Sequence, residues 1–151
     1  MTLFTAVCIA AFVIWYFDDH ELFWVLAWPG TVVHELLHYT VGLVLLAQPC
    51  NLSVIPKPRT EHGQELGRVD FQNIGWWNAL PTGMAPLLGL PIALVASSLF
   101  QFTPTITGFL GAWIIASIIS QCWPSRTDFS VAFENKVGLV FWAGVAYLAM
   151  H

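Results

Sequence analysis

Apolar and polar positions alternate along this chain in blocks. Five apolar stretches, residues 1–17, 24–47, 74–100, 105–123 and 137–150, are separated by shorter polar segments. Runs of this length predict membrane-crossing helices. The first is only just long enough to cross hydrocarbon and the last is short for a full crossing. The third is interrupted by Pro81, Pro86, Pro91 and several glycines. Asp18, Asp19, His20 and Glu21 make an acidic turn after the first stretch, and the polar segment 48–73 holds Pro49, Pro56, Pro58 and the largest share of the charge. Within that segment NLSVIP and GRVDFQ flank a turn-rich KPRTEHGQ, which suits a small β-hairpin or a plain loop. The pattern predicts an all-α polytopic membrane protein: one domain, residues 1–151, of about five transmembrane helices, with any hairpin lying in a cytoplasmic loop.

Composition sharpens this picture. The chain of 151 residues is 57% hydrophobic and 9% charged, against about 25% charged in ordinary soluble domains. A soluble surface could not be covered with so little charge, whereas a lipid-facing one has no need of it. A net charge of -4 without any basic cluster excludes a nucleic-acid partner. Cys8, Cys50 and Cys122 are odd in number and lack CxxC spacing, so they read as small hydrophobes. No Lys or Arg precedes the apolar N-terminus and no small-x-small site follows Phe17, so the first stretch is expected to be a retained span.

All the basic residues, Lys57, Arg59, Arg68, Arg126 and Lys136, fall in two inter-span segments. With five crossings those segments share a face with the N-terminus, and the positive-inside rule makes that face cytoplasmic and places the C-terminus outside. The expected location is the cytoplasmic membrane, of a prokaryote. Trp15, Tyr16, Trp24 and Trp28 then form an outer aromatic belt, and Trp76, Trp77 and Trp123 an inner one.

The second stretch carries the chemistry. His34-Glu35-Leu36-Leu37-His38 sits in its middle, about 15 Å by helical rise from the inner end. Residues four apart share a helix face, so both imidazoles can reach one metal ion, and Glu35 falls where it can take a proton from water there. On a soluble helix such a string can arise by chance as surface residues. In so apolar a span no solvated face exists for them, and an unused cluster would cost several kcal/mol.

A catalytic zinc usually has three protein ligands. The candidates for the third are Asp18, Asp19, His20, His62, Asp70, Asp128, Glu134 and His151. The acidic turn and His151 belong to the opposite face, and His62 and Asp70 to a polar loop. Asp128 follows Trp123-Pro124-Ser125-Arg126-Thr127, where proline ends the fourth helix and Ser125 or Thr127 could cap another. The break would let the chain fold back beneath the spans, leaving Asp128 either a metal ligand or merely a helix cap. Asn78, an amide near the cytoplasmic end of the third stretch, is a candidate oxyanion or substrate contact, or else a packing residue. Gly83, Gly89 and Pro86 fit close helix approach beside the site.

PGTVVHELLHYTVGLVL resembles the motif helix of the site-2 protease family of intramembrane zinc metalloproteases. The resemblance implies His34 and His38 as ligands of Zn2+, Glu35 as catalytic base, and an aspartate from a later span completing the site. The family's usual Asn-Pro-containing segment ending in Asp-Gly is missing here. PSRTDF is similar to what some short, divergent members carry at the equivalent place, which makes Asp128 the carry-over. The expected function is hydrolysis of peptide bonds in or near transmembrane segments of membrane-protein substrates, within a lipid bilayer. Family members carry a β element after the motif helix, and a strand edge there could hold an extended substrate by β-augmentation. The alternatives are a non-proteolytic metal sensor or transporter, which needs the ligands but not the base Glu35, and an inactive scaffold.

Overall fold

A computed structural model describes residues 2–17, 20, 22–55 and 66–151. Their secondary structure is mostly helical, with one small sheet. The order is α1 (Leu3–Tyr16), α2 (Phe23–Val44), β1 (Pro49–Ser53), β2 (Arg68–Phe71), α3 (Ala79–Gly83), a 3-10 turn (Ala85–Leu88), α4 (Gly89–Leu99), α5 (Ile106–Gln121), α6 (Arg126–Phe133) and α7 (Lys136–Met150). Four of the five apolar stretches hold the helices α1, α2, α5 and α7. The third is not one rod. Pro81, Pro86 and Pro91 remove backbone donors, and the stretch is divided into α3, the 3-10 turn and α4.

Among the described residues no single helix is long and apolar enough to cross a membrane; α5 and α6 pass such a test only together, as a pair bent by 48°. Helices α1, α4, α5 and α7, with 14, 11, 16 and 15 residues, are short of a full crossing. With 22 residues α2 has the length, and its hydropathy is held down by His34, Glu35 and His38, which stand in its middle.

Helix α2 is the central element. Helix α5 runs parallel to it: the Trp113 indole N–H donates to the Leu26 carbonyl (2.8 Å), Gly30 lies against the Ser117 carbonyl, and His34 meets Gln121. Helix α3 runs antiparallel, with Asn78 beside Leu45 and Thr82 beside His38. Helix α1 packs on α5, and α7 reaches the body through α3 and the adjoining loop. There Gly138 lies on the Trp76 carbonyl and the Trp142 indole N–H donates to Trp77.

The hairpin forms, antiparallel, pairing Pro49 with Phe71, Cys50 with Asp70 and Ser53 with Arg68. Its register slips between Cys50 and Ser53, where Asn51 takes a left-handed φ of 51°. That residue type tolerates such a φ, and it marks a bulge. The turn KPRTEHGQ lies outside the described residues.

The sheet does not extend away from the C-terminal end of α2. The helix ends with Leu46 in a left-handed conformation, its N–H on Leu43 and the Ala47 N–H on Gly42, a turn that reverses the chain. The hairpin then lies back along α2. Phe71 faces Gly42, Gly67 faces Glu35, and the Trp28 indole N–H donates to the Val54 carbonyl (3.1 Å). Trp28 thus anchors the hairpin rather than serving only an aromatic belt.

Buried hydrophobic positions are mostly alanines, among them Ala27, Ala47, Ala93, Ala112, Ala116 and Ala132, while the largest apolar side chains point outward, as with Leu99, Ile106, Val140 and Leu148. Small residues let the backbones approach closely, as at Gly30 against the Ser117 carbonyl.

Candidate metal centre

The inward face of α2 carries Thr31, Glu35 and His38, all buried, with His34 half-buried beside them. One helical turn separates the two imidazoles, and their Nε2 atoms approach to 3.2 Å. Each ring is oriented from behind. His34 Nδ1 lies 2.7 Å from the Gln121 carbonyl and His38 Nδ1 lies 2.8 Å from the Thr82 carbonyl. A carbonyl only accepts, so both Nδ1 atoms carry the proton, and in the neutral rings each Nε2 is then the nitrogen with the lone pair. A backbone carbonyl behind each ring is the arrangement that orients histidines for a metal.

Asp128 completes the group. The Pro124 break stands at the level of His34, because α5 ends at Gln121. The chain then continues into α6 with a bend of 48° and does not fold back beneath the spans. Ser125 caps α6: its hydroxyl accepts from the Asp128 N–H (3.2 Å), and Asp128 Oδ2 accepts from the Ser125 N–H (2.6 Å). The same carboxylate lies 3.3 Å from His34 Nε2 and 3.1 Å from His38 Nε2. Cap and ligand, read from sequence as alternatives, are therefore two uses of one side chain. The capping box fixes the rotamer that aims the free lone pairs at the imidazoles.

The three side chains could hold a metal ion. Tetrahedral coordination with bonds of about 2.1 Å places ligand atoms about 3.4 Å apart. The two Nε2 atoms lie 3.2 Å apart, and the carboxylate meets them through different oxygens, Oδ2 at 3.3 Å from His34 and Oδ1 at 3.1 Å from His38, each close to that spacing. Among the described residues these three are the one group of His, Cys, Asp and Glu able to share an ion. Close packing holds Asp128 in place. A Cβ on Gly83 would lie 2.6 Å from the Asp128 carbonyl and 2.8 Å from Ala132 Cβ, so glycine is what admits α6.

Glu35 stands where the hairpin meets α2. A Cβ on Gly67 would fall 2.5 Å from Glu35 Cγ and 2.6 Å from Oε1, so the hairpin backbone covers this carboxylate directly. His34, His38, Glu35 and Asp128 open on a cavity of about 690 Å³, walled by the hairpin from Leu66 to Phe71, by Thr82 and Gly83, and by residues around the α5–α6 break.

The remaining candidates lie elsewhere. Asp70 is paired with Arg68 (2.6 Å) on β2. His20 accepts from the Leu22 N–H, His151 stacks on Tyr147, and Glu134 closes α6. Asp18, Asp19 and His62 lie outside the described residues. Asn78 does not join the site. It is fully buried, and its amide is committed to the Leu45 and Asn73 carbonyls and to the Gly75 N–H, tying the loop before α3 to the end of α2. With donors and acceptor used for structure, it has nothing to offer an oxyanion. Sequence reasoning missed Thr82 and Gln121, the carbonyl partners of the histidines, because a backbone contact leaves no residue-type signature. No family model, curated protein or solved structure matches this chain.

Proposed function

We propose that this chain is an intramembrane zinc endopeptidase, similar to the site-2 protease family, that hydrolyses peptide bonds in or near transmembrane segments of membrane-protein substrates. The observation that carries the reading is the convergence of His34 Nε2, His38 Nε2 and the Asp128 carboxylate at tetrahedral-edge spacing, with both Nδ1 atoms held from behind. The inverted packing supports the bilayer setting. Alanines are buried while Leu94, Leu99, Ile106, Val140 and Leu148 are exposed on α4, α5 and α7, an apolar surface far beyond what water tolerates.

In that setting α2 is a span of about 33 Å, and α5 with α6 is a broken span whose gap lies at the depth of the metal. Irregular backbone at such depth is tolerated where it lines a cavity, and the Gln121 carbonyl and the Ser125 N–H at the gap are both satisfied by site residues. A zinc ion held by His34, His38 and Asp128 supplies Lewis acidity, drawing electron density from the scissile carbonyl and acidifying water beside it.

The protein's own groups do the rest. Glu35 accepts a proton from the water whose oxygen attacks the carbonyl carbon. As the C–N bond breaks, Glu35 returns that proton to the leaving nitrogen. The lining strand β2 offers a backbone edge against which an unwound substrate can lie extended. The hairpin and the α5–α6 gap set the approach to Glu35, and the cavity admits the water that hydrolysis consumes.

The test is metal content and cleavage of a transmembrane model peptide, in detergent, for wild type and Glu35→Gln. The reading requires that Glu35→Gln keeps zinc and loses turnover. Normal turnover in Glu35→Gln refutes it, and bound zinc without any cleavage by wild type would favour a metal sensor or transporter.

A further inference from the structure

The two residues whose carbonyls orient the histidines also line the same cavity. Thr82 is completely buried, and its Oγ1 is the buried side-chain polar atom without a hydrogen-bond partner among the described residues. The other two buried hydroxyl residues behave differently. Thr31 donates back to the Ala27 carbonyl (3.3 Å) and Ser117 to the Ile114 carbonyl (2.9 Å). Thr82 Oγ1 makes no such bond to the carbonyl one turn back, on Asn78, which accepts the Thr82 N–H (3.0 Å). A buried orphan hydroxyl calls for a partner that the folded chain does not supply. Thr82 lines the cavity beside His38, and Gln121 lines it beside His34, with a carboxamide that bonds to no described residue.

We propose that the Thr82 hydroxyl and the Gln121 carboxamide are hydrogen-bond partners of the main chain of a bound, locally unwound peptide. The inference rests on the peptidase reading and names how that site takes its substrate. Unwinding a helix exposes amide N–H and C=O groups that lipid cannot satisfy. A hydroxyl and a carboxamide each donate and accept without charge, so together they match both kinds of group at any sequence. Recognition would then be by backbone, largely indifferent to the side chains cleaved. Contacts on either side of the two ligand histidines would also hold the scissile amide across the metal, making Thr82 and Gln121 positioning residues.

The experiment uses zinc-loaded Glu35→Gln protein in detergent. The probe is a fluorescent Leu/Ala peptide of about 20 residues, a membrane-spanning length, with a central Asn-Gly pair to ease unwinding. Its affinity is compared after adding Thr82→Val, Thr82→Ser or Gln121→Met, and the melting temperature of each protein is recorded without metal. Thr82→Val and Gln121→Met are each expected to weaken binding about tenfold, the effect of one buried hydrogen bond, while Thr82→Ser binds as the parent does. Thr82→Val should melt no lower than the parent, because Oγ1 has no internal partner to lose. Unchanged affinity in Thr82→Val overturns the proposal, as does a lowered melting temperature that Thr82→Ser restores, which would mark the hydroxyl as structural. A parent that loads zinc but binds no peptide overturns the peptidase reading itself, and the contact with it.

Discussion

Gly83→Ala is the perturbation that probes the metal centre without touching a ligand. A methyl group there would stand 2.6 Å from the Asp128 carbonyl oxygen, 2.8 Å from Ala132 Cβ and 3.0 Å from Ala132 N. Comfortable contacts begin at about 3.3–3.5 Å, so α6 must retreat by about 0.7 Å. A metal ligand tolerates displacements of only about 0.2 Å. The Asp128 oxygens, now 3.3 and 3.1 Å from the two Nε2 atoms, would leave the range that closes a tetrahedron. Disturbing a ligand's support typically weakens metal affinity about 10- to 100-fold, and zinc affinity of Gly83→Ala should fall within or beyond that range.

Fold stability is expected to move less. Overpacking costs about 1–3 kcal/mol, and replacing glycine inside α3 returns up to about 1 kcal/mol of helix propensity. Competition titration with a zinc chelator, read beside a thermal melt, separates the two effects. A Gly83→Ala protein that melts near wild type and binds zinc as tightly would refute the claim that α3–α6 contact sets the position of Asp128.

Other expectations follow from the same geometry. Asp128→Asn should weaken zinc retention about 10-fold or more and also destabilise α6, since the carboxylate caps it through the Ser125 N–H; unchanged zinc would move the third ligand elsewhere. Ser125→Ala removes the hydroxyl half of the cap, and a loss of about 1 kcal/mol in thermal stability is expected, with zinc affinity reduced because the Asp128 rotamer is no longer pinned. Gly67→Ala drives a methyl group into the Glu35 carboxylate; peptide cleavage should fall while zinc content stays whole, and an active Gly67→Ala enzyme would show that the hairpin does not govern the base. Glu35→Gln itself should lower cleavage about 10²–10⁴-fold, the usual contribution of a general base.

The helices were legible because their signals are local. Apolar runs marked α1, α2, α5 and α7, and the HExxH spacing put two imidazoles on one face of α2 before any contact was known. Ser125 and Pro124 likewise announced a new helix start, which Ser125 does cap. What sequence could not supply was depth. Charge counting placed Arg68 in the segment after α2 but gave no sign that β2 lies along the C-terminal half of α2, where the Leu46 turn sends the chain back beside its own helix.

The α5–α6 break was visible as a proline, but its level relative to His34 depends on the pairing of residues 87 positions apart. Asn78 attracted attention as a lone amide in an apolar stretch; its partners, Leu45 and Asn73, are backbone carbonyls that residue types do not reveal. The same reason hid Thr82 and Gln121.

The most direct check is the zinc content of protein purified at neutral pH, measured for wild type and for His34→Ala in parallel. Two imidazoles and a carboxylate closing on one ion predict one zinc per wild-type chain and near-complete loss in His34→Ala. Equal zinc in the two proteins, or none in wild type after reconstitution, would contradict the account.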